Sequence, residues 1–483
     1  MVRSLLLGAL AAALLPTCQA QELISTDQAQ EDARALYEGL QAAHYDLYVN
    51  TPKPVFDQYY QELQDRLDDG PISPADFHSA LQRFAAHAHI AHTRIEGFNP
   101  GFVDHMSDEA LVFPLSFEVR EGEVIVTQAP SASSVRPGDR IVTLQGASNA
   151  DWLARLTRNI SADTPALAYS QMQGMELYYI WLEYGPLSRF TLELEDAAGV
   201  RRQVELDAVP MAALSDREGV ERIDLSGRDA RMLTGDIAYL RPGPFYNTAA
   251  QTPQEAYDPE ALAAYTAFID DAFERFIDQG AQALILDVRD NPGGDNSWSD
   301  PVISWFADRP FRFASEFRIR VSEQTTASNQ GRIDTTSEGV SSISRTLADL
   351  YDSAPNGETV SFELPYAHPR EGRRFEGAVY ALVDRRSFSN AVSVGAIVQD
   401  YGFGAVIGEA STDMTTTLGA MEQFTLPHSG IVAGYPKALI IRPNGDTHTH
   451  PLEPDVRLPG PRLGDQGDVM LDAAIAHIER QGR

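Results

Sequence analysis

Between residues 26 and 90 apolar side chains recur at helical spacing. Ala33, Leu36, Tyr37 and Leu40 form one stripe, and Phe56, Tyr59, Tyr60 and Leu63 form another. Ser73-Pro74-Ala75-Asp76 then supplies an N-cap, a first-turn proline and an early acid ahead of Phe77, Leu81 and Phe84. This pattern predicts a small helical domain that gives out near Ala91-His92-Thr93-Arg94. From about residue 101 to 232 the chain changes to short alternating runs, such as Val124-Ile125-Val126 and Phe190-Thr191-Leu192-Glu193-Leu194, divided by turn residues; these predict strands. Beyond Gly235 strands and helices alternate, with strands expected at 237–240, 283–288 and 379–383 and helices at 262–277 and 391–398. The runs at 283–288 and 379–383 are almost continuously apolar, as expected of strands buried on both faces of a sheet. The polar stretch 322–344 predicts a long loop. The division that follows is a leader at 1–20, a helical amino-terminal domain at 21–100, a β-rich region at 101–232 and an α/β core at 233–483.

Length and charge narrow the function. A chain of 483 residues can bury two or three cores. Its 69 acidic against 38 basic residues leave a net charge of −31, which repels phosphate backbones and anionic lipid surfaces, so nucleic acid is not an expected partner. At the amino terminus Arg3 precedes an apolar run from Leu5 to Leu15, and Cys18-Gln19-Ala20 places small residues before a cut at Gln21. This predicts an export signal and a periplasmic or secreted chain with no stable membrane insertion once the signal is removed. Leu15-Pro16-Thr17-Cys18 admits a second reading, a lipoprotein anchored through Cys18. That residue is the only cysteine, so a mature chain starting at Gln21 has no thiol nucleophile and no disulfide.

Two segments carry candidate chemistry. Asp287-Val288-Arg289-Asp290-Asn291-Pro292-Gly293-Gly294 follows a buried strand, and its glycines allow backbone amides to turn into a cleft. In Val383-Asp384-Arg385-Arg386-Ser387-Phe388-Ser389-Asn390 a second buried strand ends in a serine-bearing turn that leads into a helix. A serine there can present its hydroxyl beside the helix dipole, or can merely cap the helix. Together with Gln399-Asp400-Tyr401-Gly402 and Val406-Ile407-Gly408-Glu409, these segments resemble the carboxyl-terminal processing (tail-specific) peptidases and their tricorn relatives.

The resemblance implies a ClpP/crotonase-like α/β catalytic core and a serine peptidase acting on peptides or unfolded proteins. It implies Ser389, rather than Ser387, as the nucleophile and the amides of Gly293, Gly294 and Asn390 as the oxyanion hole. Separately, Val135-Arg136-Pro137-Gly138-Asp139-Arg140-Ile141-Val142, followed by Leu144-Gln145-Gly146, resembles the stretch of a PDZ domain where a tight turn feeds a strand, so the β-rich region is expected to be PDZ-like, with a β-rich spacer that holds no ligand as the alternative. In the serine/lysine branch of the family a lysine follows the Gly-Glu element, but Met414 stands at that place here and cannot accept a proton. The tricorn-like branch instead uses a histidine from the amino-terminal region, and Ala91-His92-Thr93 matches its position, with Ala91 where a supporting serine can stand. His92 is therefore the expected general base. The acid that would orient it is expected near the carboxyl-terminal end, at Asp446 or Glu453. His87 and His89 beside His92 raise a metal reading, but no acid follows at metal-site spacing, so neither a metal nor another cofactor is expected. The rival reading, motivated by Met414, is an inactive peptide-binding protein on a peptidase scaffold.

Overall fold

The computed structural model describes residues 22–107, 109–219, 224–225, 227–251, 255–335, 341–460, 465 and 467–481. The export signal expected at 1–20 lies outside them. Three helices open the described chain, Thr26–Ala43, Lys53–Leu67 and Pro74–Ala86. Ser73 caps the third as its sequence predicts, its side chain accepting from the Asp76 amide. Ala33, Leu36, Leu40, Phe56, Phe77 and Phe84 converge in one core with Ala433 and Tyr435 from far down the chain.

That long-range packing brings the amino-terminal segment to the site. The two-residue strand Arg94–Ile95 pairs with Gly434 and Ala433 of the strand Val432–Ile441. Val432–Ile441 also pairs with Thr417–Thr425 and with Glu316–Arg320. His92, two residues before the short strand, is thereby fixed against a sheet built from the last third of the protein.

Residues 116–219 form a seven-stranded sheet in which the Arg189–Glu195 and Arg201–Asp207 hairpin extends the strand Arg140–Leu144. Three helices, Asn149–Thr157, Pro165–Met172 and Glu176–Tyr184, accompany it; the β-rich expectation for this region overlooked them. Asn149–Thr157 turns Trp152, Leu153 and Leu156 onto the sheet.

The α/β layer is built on a six-stranded sheet. Its order is Asp229–Met232, Ile237–Arg241, Ala283–Asp287, Ala378–Val383, Ala405–Gly408 and Val456–Arg457, with only the first pair antiparallel. Leu284, Leu286, Val379, Ala381 and Val383 face the helices Pro259–Asp278, Asn296–Ile303 and Asn390–Asp400. Ile285 and Leu382 face the other way, onto the helix Val469–Gln481. Both faces are covered, which is why these strands read as unbroken apolar runs.

The loop expected at 322–344 is corrected. Its described residues belong mostly to two helices, Glu323–Thr335 and Ser341–Asp352. Local propensity gave no hint of the first, because tertiary bonds hold it: the Thr325 amide donates to Ser322 Oγ at 3.0 Å, and Asn329 Nδ2 donates to the Ser344 carbonyl at 2.8 Å. Ser328 Oγ and the Arg332 guanidinium both bind the Glu422 carboxylate.

Candidate active site

Ser389 stands where the strand Ala378–Val383 gives way to the helix Asn390–Asp400. It occupies the N-cap position but makes no side-chain cap bond, so its hydroxyl is not spent on the helix. Its backbone has φ +53°, a left-handed conformation that a side chain adopts only when its surroundings impose it. Those surroundings are specific. The Phe388 amide donates to the Asn291 carbonyl at 3.0 Å, and the Ser389 amide donates to Asp413 Oδ2 at 2.6 Å. The hydroxyl, left free, lies 3.3 Å from His92 Nε2, across 297 residues of sequence.

Ser387 is used differently. Its hydroxyl is buried, donates to the Val288 carbonyl at 2.8 Å and accepts from the Asp384 amide at 3.1 Å, which ties the turn to the neighbouring strand.

The glycine turn packs directly on this serine. Gly293 has φ +86°, and a β-carbon placed on it would lie 2.6 Å from the Phe388 carbonyl oxygen, 2.7 Å from the Asn390 nitrogen and 2.8 Å from Ser389 Cβ. A β-carbon on Gly294 would sit 2.1 Å from the Phe245 carbonyl oxygen. Both positions therefore need glycine. The three amides expected to form an oxyanion hole are not equivalent, however. The Gly293 N–H donates to Asn291 Oδ1 at 2.9 Å, whereas those of Gly294 and Asn390 have no hydrogen-bond acceptor among the described residues. Asn291 is the organiser that sequence reasoning missed: its side chain also donates to the Gly243 carbonyl, and its own carbonyl receives Phe388. Behind the turn, Arg289 binds the carboxylates of Asp287 and Asp468 at 2.6 and 2.7 Å and anchors the end of the strand.

His92 is almost fully buried, its ring stacked at 5.2 Å on that of Phe388. Burial, with the Arg94 cation as a smaller second cause, pushes its pKa down to about 4; a backbone group of Leu418 acts weakly the other way. The imidazole is therefore neutral at pH 7. Nδ1 makes no hydrogen bond among the described residues, so no carboxylate orients it. Both expected orienting acids are corrected: Asp446 binds His448 Nδ1 at 2.8 Å and His450 Nε2 at 3.1 Å, while Glu453 binds Arg457. Asp446 sits in a tight turn, its amide donating to Asn444 Oδ1 and its carboxylate accepting from the His448 amide.

Two carboxyls, the half-buried Asp163 and the buried Asp413, instead hold backbone at or beside the pair. Asp163 Oδ2 accepts from the Ala91 amide at 3.0 Å, as Asp413 does from that of Ser389. Met414 is buried and bridges to Pro451. His87 stacks on Tyr59 at 3.5 Å.

Ser389, His92, Gly294 and Asn390 line a cavity of about 1820 Å³, bordered elsewhere by Tyr179 and Trp298. Its size suits an extended chain rather than a small metabolite. A hydroxyl not spent on the helix, a neutral imidazole within reach and two amides without acceptors among the described residues are the parts that serine hydrolysis requires.

The comparisons agree with that class. Residues 237–458 match the model of peptidase family S41. The chain is accordingly a serine-type peptidase acting on peptides or proteins. A search of curated proteins returns no match. Among solved structures, mature CPAF is similar at 16% identity and a TM-score of 0.61, over 90% of this chain and 93% of that one. Mature CPAF complexed with lactacystin is similar at 15% identity and a TM-score of 0.60, over 90% and 94%. At these identities the likeness speaks for the fold alone.

Proposed function

We propose that this peptidase cleaves peptide bonds through an acyl-enzyme on Ser389, with His92 as general base. The single observation that carries the reading is the 3.3 Å approach of Ser389 Oγ to His92 Nε2. Neutral Nε2 takes the hydroxyl proton as Oγ attacks the substrate carbonyl carbon. The Gly294 and Asn390 amides receive the negative charge that develops on the carbonyl oxygen. The imidazolium returns the proton to the leaving amine as the C–N bond breaks, and water, activated by the same nitrogen, hydrolyses the ester. The pair works as a dyad, since His92 Nδ1 has no acidic partner among the described residues. A low histidine pKa fits this role: the base stays unprotonated well into mildly acidic solution.

The β-rich region is proposed to be PDZ-like and to hold substrate chain ends. Export follows from the apolar run at 5–15, and the mature chain is proposed to begin at Gln21. Among the described residues no helix is long and apolar enough to cross a membrane.

A fluorophosphonate probe on the folded protein tests the nucleophile. A single adduct mapped by peptide mass to Ser389, and absent from Ser389→Ala, is the expected result. An adduct on Ser387, or an unlabelled folded protein, overturns the assignment.

A further inference from the structure

Asp413 has no place in the dyad, yet few carboxyls in this protein are better enclosed. It is fully buried, its Oδ2 accepts the Ser389 amide at 2.6 Å, and its Oδ1 has no hydrogen-bond partner among the described residues. The bond matters because of what it holds: the amide of a residue at φ +53° that makes no cap bond of its own. Two anchors flank the hydroxyl, Phe388 to the Asn291 carbonyl on one side and Ser389 to Asp413 on the other.

We propose that Asp413 is a positioning residue for the nucleophile, its carboxylate holding the Ser389 amide so that the hydroxyl stays aimed at His92 and the Asn390 amide stays open to the oxyanion. The inference rests on Ser389 being the nucleophile. A charge-assisted bond is shorter and about twice as strong as a neutral one, so the ionised carboxylate grips the turn harder than the acid does. The groups acting on Asp413 are the Ser389 and Met414 amides, which favour its charge, and the Asp163 carboxylate, which opposes it. Burial outweighs the amides and raises its pKa to about 7. His92 titrates far lower, at about 4. A rise in turnover with pH through neutrality therefore belongs to Asp413 and not to the base.

The test compares Asp413→Asn and Asp413→Ala with the wild type in kcat, KM and pH profile on one quenched-fluorescence peptide, alongside Ser389→Ala. Asparagine keeps an oxygen for the Ser389 amide but cannot ionise. The expected result is a wild-type kcat that rises several-fold between pH 6 and 8, the loss of that rise in Asp413→Asn, and a fall in kcat of about 10- to 100-fold in Asp413→Ala with KM little changed. Should Asp413→Ala not fold, the pH profile of Asp413→Asn decides alone. An Asn variant that retains the neutral inflection overturns the proposal. Activity surviving in Ser389→Ala would instead remove the nucleophile assignment, which keeps the two failures distinct.

Discussion

Replacing Gly293 by alanine asks how tightly the nucleophile turn is built. The added β-carbon meets three atoms of that turn at 2.6, 2.7 and 2.8 Å: the Phe388 carbonyl oxygen, the Asn390 nitrogen and Ser389 Cβ. Ordinary contacts of this kind begin near 3.4 Å, so the turn must retreat by roughly 0.6 to 0.8 Å, and none of the three atoms is the free end of a flexible side chain. Two effects add in stability. The left-handed backbone at φ +86° costs an alanine about 1 kcal/mol, and overpacking costs about 1–3 kcal/mol more. The functional loss is larger, because a displacement approaching 1 Å at the reacting group costs about 10²-fold in rate. Gly122→Ala is the control: Gly122 has φ +80°, and a β-carbon there meets nothing within 4 Å. The assay is kcat/KM on a quenched-fluorescence peptide with urea unfolding in parallel. Gly122→Ala is expected to lose about 1 kcal/mol and no activity, and Gly293→Ala to lose about 100-fold in kcat/KM while folded. Activity within about threefold of wild type in Gly293→Ala would refute the claim that this turn fixes the serine.

Two further outcomes separate site from scaffold. Ser387→Ala removes a buried hydroxyl that both donates and accepts; it should cost about 1–3 kcal/mol in urea unfolding and leave most turnover, and loss of turnover without loss of stability would count against the placement of the nucleophile. His78 is buried with neither ring nitrogen hydrogen-bonded among the described residues, and burial lowers its pKa from 6.5 to about 4. Its contribution to stability is full above pH 6.5 and is lost as pH falls toward 4, so the stability advantage of His78→Phe over wild type should widen by roughly 2 kcal/mol between pH 7.5 and pH 5; a gap that does not change with pH contradicts the linkage.

Much of the catalytic layer could be read from the chain. The runs at 283–288 and 379–383 are apolar because the sheet is covered on both sides, and that is a local signal. The pairing of His92 with Ser389 was legible only through family resemblance, since a sheet contact between Arg94–Ile95 and Val432–Ile441 brings the two together and no local pattern encodes it. The helix Glu323–Thr335 was hidden for a related reason: its polar face is satisfied by Glu422 and Ser344, which lie elsewhere in the sequence. The orienting acids failed on geometry, because Asp446 turns onto His448 and His450. Asp413 left a faint trace, being the single charged side chain between residues 410 and 421. A lone acid in a stretch folded beside a buried strand is a candidate for structural or catalytic use, but its partner, the amide of Ser389, lies 24 residues away and no local pattern names it.

Activation of Ser389 by His92 is tested most directly by the turnover of His92→Ala. The variant should fold, since a neutral ring with an unbonded Nδ1 contributes packing rather than a network. Loss of the general base predicts a fall in kcat/KM of about 10²- to 10⁴-fold; the wild type, by contrast, loses only the several-fold set by Asp413 through neutrality and keeps the remainder down toward pH 4, because the buried imidazole stays neutral. A folded His92→Ala protein that hydrolyses peptide at near wild-type rate would contradict the account.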